Sequence, residues 1–183
     1  MSVGIDVDCA PVLDMPPEPD TGFIANRAFG SDPEQVRVLA QAMADGLKAG
    51  GVLPVIKHMP GHGRGLADSH IGLPVVKEPL ALLAERDFRP FREITGILMA
   101  MTCHVLFEAV DAENPASTSA KVVEQVMRGS IGFDGLIISD DISMNALAGG
   151  MAERAERSIA AGCDLILHCN GDMDEMQAVL AGS

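Results

Sequence analysis

The stretch Val52-Leu53-Pro54-Val55-Ile56-Lys57-His58-Met59-Pro60-Gly61-His62-Gly63 is a short apolar run that ends abruptly in polar chemistry. Such a run fits a strand buried on both faces, and the glycines and prolines after it end regular structure. The same design recurs along the chain. Val3 to Leu13 precedes Asp14, Gly96 to Met101 precedes Thr102-Cys103-His104, Gly135 to Ile138 precedes Ser139-Asp140-Asp141, and Asp164 to Leu167 precedes His168-Cys169-Asn170. These five runs are read as strands.

Helical patterns follow them. Pro33 opens one through Val36, Leu39, Ala40, Met43 and Leu47, and Gly50 and Gly51 stop it. A second is expected at about Leu80 to Phe91. A third begins at Ser119 and runs through Val122, Val123, Val126 and Met127. An Ala-rich one follows Met151, and Asp172 to Leu180 closes the chain. Apolar strands alternating with amphipathic helices imply an α/β fold with a parallel sheet, either a (β/α)8 barrel or a doubly wound sheet. No Gly-x-Gly-x-x-Gly follows the first strand, so dinucleotide binding has no support.

The histidines decide between the two architectures. His58, His62 and His70 follow the second run, His104 the third and His168 the fifth, while Asp14 and Asp140 stand at strand ends as well. Polar chemistry at the C-terminal ends of successive strands is the arrangement of barrel active sites, whereas an open sheet gathers it at one switch point. Five strands are countable where a closed barrel needs eight, so the chain reads as a TIM-barrel type fold about three βα units short.

Composition narrows the partners. Among 183 residues, 26 are acidic and 13 basic, giving a formal net charge of -13. Nucleic acid and anionic membrane repel such a chain. No apolar run reaches the length of a transmembrane helix. The first ten residues carry Asp6 and Asp8 and no Lys or Arg, unlike a signal peptide, so a cytoplasmic, reducing location is expected. Cys9, Cys103, Cys163 and Cys169 form no Cys-x-x-Cys pair and read as free thiols that behave as small hydrophobes.

Three stretches carry candidate chemistry. In Lys57 to His70, Asp68 and His70 are two residues apart, close enough for a carboxylate to orient an imidazole. Such a histidine can protonate a leaving group and then activate water, although a solvated loop histidine fits the same pattern. Lys57 ends a buried strand, where Lys is rarely found without a polar task, and with His58 it offers hydrogen bonds to hydroxyls. Asp140 ends another buried strand, placed either as a nucleophile or beside the helix caps Asp141 and Ser143. Arg27 sits in a loop, where a solvated arginine is the plain reading. A metal set of His104, His168 and Asp140 is the remaining possibility. The His58-x-x-x-His62 offset is not a helical zinc pair, because Pro60 and Gly61 forbid a helix there.

Together these motifs resemble glycoside hydrolase family 3. They are Lys57-His58-x-Pro-Gly-His62-Gly, Asp68-Ser-His70, and Gly-Phe-x-Gly-x-x-x-Ser139-Asp140-Asp141-x-Ser-Met144. Ala10-Pro-Val-Leu-Asp14, Asn26-Arg27-Ala-Phe29, Ala161-Gly-Cys-Asp164 and Cys169-Asn170 extend the resemblance over essentially the whole chain. The subgroup is the bacterial β-N-acetylglucosaminidase (β-hexosaminidase) of cell-wall recycling. The resemblance implies a (β/α)8 barrel that removes terminal β-linked N-acetylglucosamine with retention and without a cofactor or metal. It implies Asp140 as nucleophile, His70 as general acid/base, Asp68 as its dyad partner, and Arg27, Lys57 and His58 as sugar-binding residues. His62 is implied to shape the loop.

The family's upstream strands, with an Asp-Gln-Glu-Gly-Gly-Arg-type segment, have no counterpart here. Residues 1–183 are therefore expected to be the C-terminal part of a single barrel domain, and its open edges imply self-association. The substrate implied is an N-acetylglucosaminyl anhydro-muropeptide. With no Trp or Tyr to stack on sugar rings, a pocket that grips one terminal sugar fits better than a polysaccharide groove. The alternatives are phosphorolysis of the same bond, or a non-catalytic partial barrel that needs a partner segment.

Overall fold

The computed structural model describes residues 4–18, 22, 24–65 and 72–183. Five strands form one parallel sheet: β1 (Val7–Asp8), β2 (Leu53–Met59), β4 (Met99–Thr102), β6 (Leu136–Asp141) and β7 (Leu165–Leu167). Their order is β1-β2-β4-β6-β7, each beside its predecessor, without the reversal a doubly wound sheet requires. The fold is thus an α/β arc of five consecutive units of the barrel type, as the histidine pattern implies. All strands are parallel, so all their C-terminal ends meet on one rim.

Helices α1 (Pro33–Ala49), α2 (Leu80–Glu85), α3 (Arg89–Glu93), α4 (Met151–Ala161) and α5 (Met173–Gly182) alternate with the strands, together with a π-helix at Val122–Ser130. Successive residues of a strand point to opposite faces. Ile56, Ala100 and Ile137 enter the core beneath the helices, while their neighbours Val55, Met101 and Ile138 form a second apolar layer on the concave face. The runs of β2, β4 and β6 are apolar because both faces are covered there, while the edge strands β1 and β7 are more exposed.

Local chemistry explains the helix ends. Asp32 caps α1 by accepting from the Gln35 N–H at 2.8 Å, Pro33 fills the first turn, and Gly51 leaves the helix in a left-handed conformation. α1 buries Val36, Ala40 and Ala44, so the expected apolar stripe is turned. Leu39 and Met43 remain exposed with Val38.

Several elements differ from the sequence reading. The first run pairs as β1 only at Val7–Asp8 and again at Val12 beside Lys57, because Pro11 has no N–H for the ladder. The helix expected over Leu80 to Phe91 is two short helices, with buried Phe88 between them and Pro90 in the first turn of the second. The segment begun by Ser119 winds as a π-helix, and Ser119 Oγ accepts the Val122 N–H. A small parallel pair, β3 (Val75–Val76) with β5 (Leu106–Phe107), leaves no mark in the sequence because two-residue strands carry no periodicity. It ties the loop after β2 to the loop after β4 above the rim.

Candidate active site

The rim of β2 is organised by one carboxylate. Asp14, 0% exposed, accepts the His58 Nδ1 proton at 2.6 Å through Oδ2 and the His62 backbone N–H at 2.6 Å through Oδ1. Both oxygens also lie 3.2–3.3 Å from the His58 backbone N–H. Burial alone would raise the Asp14 pKa. The pull of the His58 and His62 rings and the hydrogen bonds from both residues outweigh it and hold the carboxyl below the usual range. The peptide bonds Lys57-His58 and Met59-Pro60 are both cis, and β2 shifts register between Ile56 and Met59. β2 runs on to Met59, so Lys57, expected to end the strand, and His58 both stand on it. The His58 and His62 rings meet edge to face at 5.9 Å. His62 is buried, which lowers its pKa against the raising effect of Asp14.

Backbone contact keeps this rim closed. A Cβ added at Gly63 would stand 2.0 Å from the Met15 carbonyl oxygen, so the loops after β1 and β2 touch main chain to main chain. Arg64 then anchors the next segment, donating to Asp87 at 2.8 Å and to Glu78 at 3.2 Å. Asp87 is buried, and that burial raises its pKa against the pull of Arg64.

The rim of β6 is held differently. The Asp140 N–H donates to Thr102 Oγ1 across the sheet at 3.2 Å, and Asp140 Oδ1 accepts the Asp141 N–H at 2.8 Å. Asp140 is 6% exposed. Its charge is felt at Cys9, His62, Cys103, His104 and Cys169, and that of Lys57 at Cys9 and Cys169. Lys57 and Asp140 thus act on the same two thiols at the concave centre of the rim. The Asp141 carboxylate accepts from the Ser143 and Cys169 N–H groups and from the Ser143 hydroxyl. It folds a turn and joins two loops. The expected helix cap is absent, since α4 starts later, after Gly150, with no side-chain cap. Arg154 of α4 braces the same turn through the Ile142 and Met144 carbonyls.

His104 and His168 do not join Asp140 in a metal set. The His104 Nε2–H donates to the Asp141 carbonyl at 2.9 Å, and Nδ1 accepts the Ser117 hydroxyl at 2.7 Å. Burial lowers its pKa, against the raising effect of Asp140. His168 Nε2 is paired with Glu175 at 2.8 Å, and Glu175 also accepts from Asn170. Among the described residues no group of three His, Cys, Asp or Glu is placed to hold a metal ion. The thiols stay protonated: burial raises all four, Cys163 to about 12.

This rim, with a carboxylate at the end of β6 and lysine and histidine on β2 two strands away, belongs to a chain that known proteins match. The model of the "Glycosyl hydrolase family 3 N terminal domain" fits residues 1–182. The chain belongs to glycosyl hydrolase family 3. A beta-hexosaminidase of Chromobacterium violaceum is 42% identical over 97% of this family 3 chain and 51% of its own length. A family 3 beta-N-acetylglucosaminidase from Paenibacillus sp. str. FPU-7 has a solved structure that matches with a TM-score of 0.91 at 36% identity, covering 98% of this chain and 35% of that one. NagZ from Neisseria gonorrhoeae, solved in complex with N-trifluoroacetyl-D-glucosamine, matches with a TM-score of 0.83 at 40% identity, covering 96% and 50%. The chain spans about half the length of the curated relatives it matches.

Of the family 3 residues expected from sequence, the structure brings Lys57, His58 and Asp140 to one rim. Arg27 lies exposed at the end of a 3-10 turn, Ala25–Arg27, in the loop between β1 and α1 on that same rim. Asp68 and His70 lie outside the described residues. Sequence reasoning gave Asp14 no role. Its place at the end of an apolar run was the available signal, but its partners lie 44 and 48 residues away.

Proposed function

We propose that this chain is the C-terminal, nucleophile-bearing part of a retaining exo-β-N-acetylglucosaminidase, the upstream βα units completing the barrel. The observation that carries the reading is Asp140. It is a nearly buried carboxylate at the end of β6, oriented by the Asp141 N–H, on the same rim as Lys57 and His58. A carboxylate so placed is desolvated enough to attack and open enough to reach a sugar.

In this reading an Asp140 oxygen attacks the anomeric carbon. The glycosidic C–O bond breaks, and His70 gives its proton to the leaving oxygen. His70 then takes a proton from the water that displaces Asp140 and releases the sugar. Asp68 orients His70. Arg27, Lys57 and His58 hold the sugar hydroxyls. The substrate is an N-acetylglucosaminyl anhydro-muropeptide of peptidoglycan recycling, handled in the cytoplasm. No described helix is long and apolar enough to cross a membrane.

Exposed apolar side chains support completion by further units. Val38, Leu39 and Met43 stand open on α1, and Met173, Met176 and Leu180 on α5, the first and last helices of the arc. Alone, the chain covers them by self-association. The test is hydrolysis of a chromogenic β-N-acetylglucosaminide by the full-length parent and its Asp140→Asn variant. The variant is expected to lose about 10⁴-fold or more in kcat while melting normally. Retained turnover overturns the assignment, and sugar 1-phosphate released in phosphate buffer replaces hydrolysis with phosphorolysis.

A further inference from the structure

We propose that Asp14 is a positioning residue that sets the tautomer of His58. It holds the ring proton on Nδ1 and leaves Nε2 as a bare hydrogen-bond acceptor that demands a donor from the ligand. The argument begins with the acceptor. Asp14 is ionised and wholly buried, and its oxygens can only accept. At 2.6 Å from Oδ2, His58 Nδ1 must therefore carry hydrogen. In the neutral ring the other nitrogen is then bare. Nε2 takes no partner among the described residues and is not sealed from solvent.

The geometry leaves the ring no alternative. Asp14 also receives two backbone N–H groups, those of His58 and His62, which cannot exchange donor for acceptor. The edge-to-face contact with His62 holds the ring against rotation. The chain contains its own counter-example. His104 faces a carbonyl with Nε2 and a hydroxyl with Nδ1, so its hydrogen sits on Nε2. Two neighbouring histidines of one rim thus carry opposite tautomers, set by what each is bonded to.

The consequence concerns the ligand and rests on the glycosidase reading above. A bare Nε2 accepts from a sugar hydroxyl or an acetamido N–H. The neutral ring repels a carboxylate or a carbonyl at the same place, so in that form His58 selects for a donor-bearing group.

The test is long-range 15N–1H correlation of the imidazoles in the 15N-labelled chain at the alkaline end of their titration, with His58 assigned from a His58→Gln variant. The expected result is His58 with Nδ1 protonated and Nε2 bare, and His104 the reverse. His58 protonated on Nε2 overturns the proposal, and this measurement needs no variant of Asp14. In Asp14→Asn the amide oxygen is retained by the two backbone donors and the NH2 faces Nδ1. The His58 hydrogen is then expected to move to Nε2 while His104 stays unchanged; a folded variant in which His58 keeps Nδ1–H overturns the proposal.

N-acetylglucosamine is then added to the wild-type chain. A shift of Nε2, with binding weakened about tenfold or more in Asp14→Asn, is the expected outcome. Movement of other histidine resonances without Nε2 overturns the sugar contact. If no resonance moves in the full-length parent either, the glycosidase reading fails and the tautomer assignment stands.

Discussion

Asp14 and Asp140 both stand on the C-terminal rim of one sheet, and both are nearly sealed from solvent. Asp14 is saturated: a ring N–H and two backbone N–H groups converge on it, from residues 44 and 48 positions further on. Asp140 accepts one neighbouring N–H through Oδ1, and its charge reaches Cys9, His104 and Cys169. A carboxylate whose oxygens are consumed by the protein builds the site. One with acceptor capacity left over is available to a substrate. Burial alone distinguishes neither, and the count of fixed donors does.

The sharpest way to break that contrast is stability. Asp14→Ala leaves three donors without an acceptor in the interior, and is expected to cost about 3–5 kcal/mol in urea unfolding. Asp140→Ala removes one short-range acceptor and should stay within about 1 kcal/mol of the wild type. Equal losses at the two positions would erase the distinction. A smaller effect is expected at Ser117, which donates to His104 Nδ1. Ser117→Ala strands that nitrogen and should cost about 1–2 kcal/mol by the same measurement, with the His104 Nε2–H retained.

A further effect is read through its pH dependence. A third buried carboxylate, Asp111, is 4% exposed and accepts from the Glu113 and Asn114 backbone N–H groups, the Asn114 amide and the Ser119 hydroxyl. Burial opposes its ionisation, but these donors outweigh it and hold its pKa at about 2. A depressed carboxylate stabilises the fold above its unfolded pKa and loses that contribution as pH falls through the folded one. Asp111→Asn is therefore expected to be less stable than wild type at neutral pH, the gap narrowing from about pH 4 to pH 2. A gap independent of pH would remove Asp111 from the saturated class.

How much of this was legible follows the range of the interactions. The central strands announced themselves as apolar runs, because burial on both faces writes itself into consecutive residues such as Val55-Ile56 and Ile137-Ile138, whereas β1 and β7 at the edges are more exposed. The ends of α1 were readable from Pro33 and the Gly50-Gly51 pair, which act within a turn. Which side α1 buries was not, since Val36, Ala40 and Ala44 are chosen by the sheet beneath them. Phe88 and Pro90 break the second helix through a buried ring and a missing donor, a conflict that apolar spacing hides. Asp140, Lys57 and His58 were visible as polar residues ending apolar strands, and the resemblance gave them roles. Asp14 shared that position, but its partners are brought to it only by folding. The metal set failed for the same reason, since Ser117, Asp141 and Glu175 occupy the rings of His104 and His168 from other elements.

The main-chain contact between Gly63 and Met15 bears on the sequences this fold can tolerate. A methyl group at position 63 would have to occupy the space of a carbonyl oxygen 2.0 Å away, and neither backbone can retreat as a flexible side chain would. A library randomised at position 63 should return a one-letter alphabet. Gly46 and Gly72, with no atom within 4 Å of an added Cβ, should accept alanine freely. Mutational freedom in this chain is therefore rationed by how closely two stretches of main chain approach, so that Gly63, Gly135 and Gly182 are held to glycine while others of the same kind are ordinary.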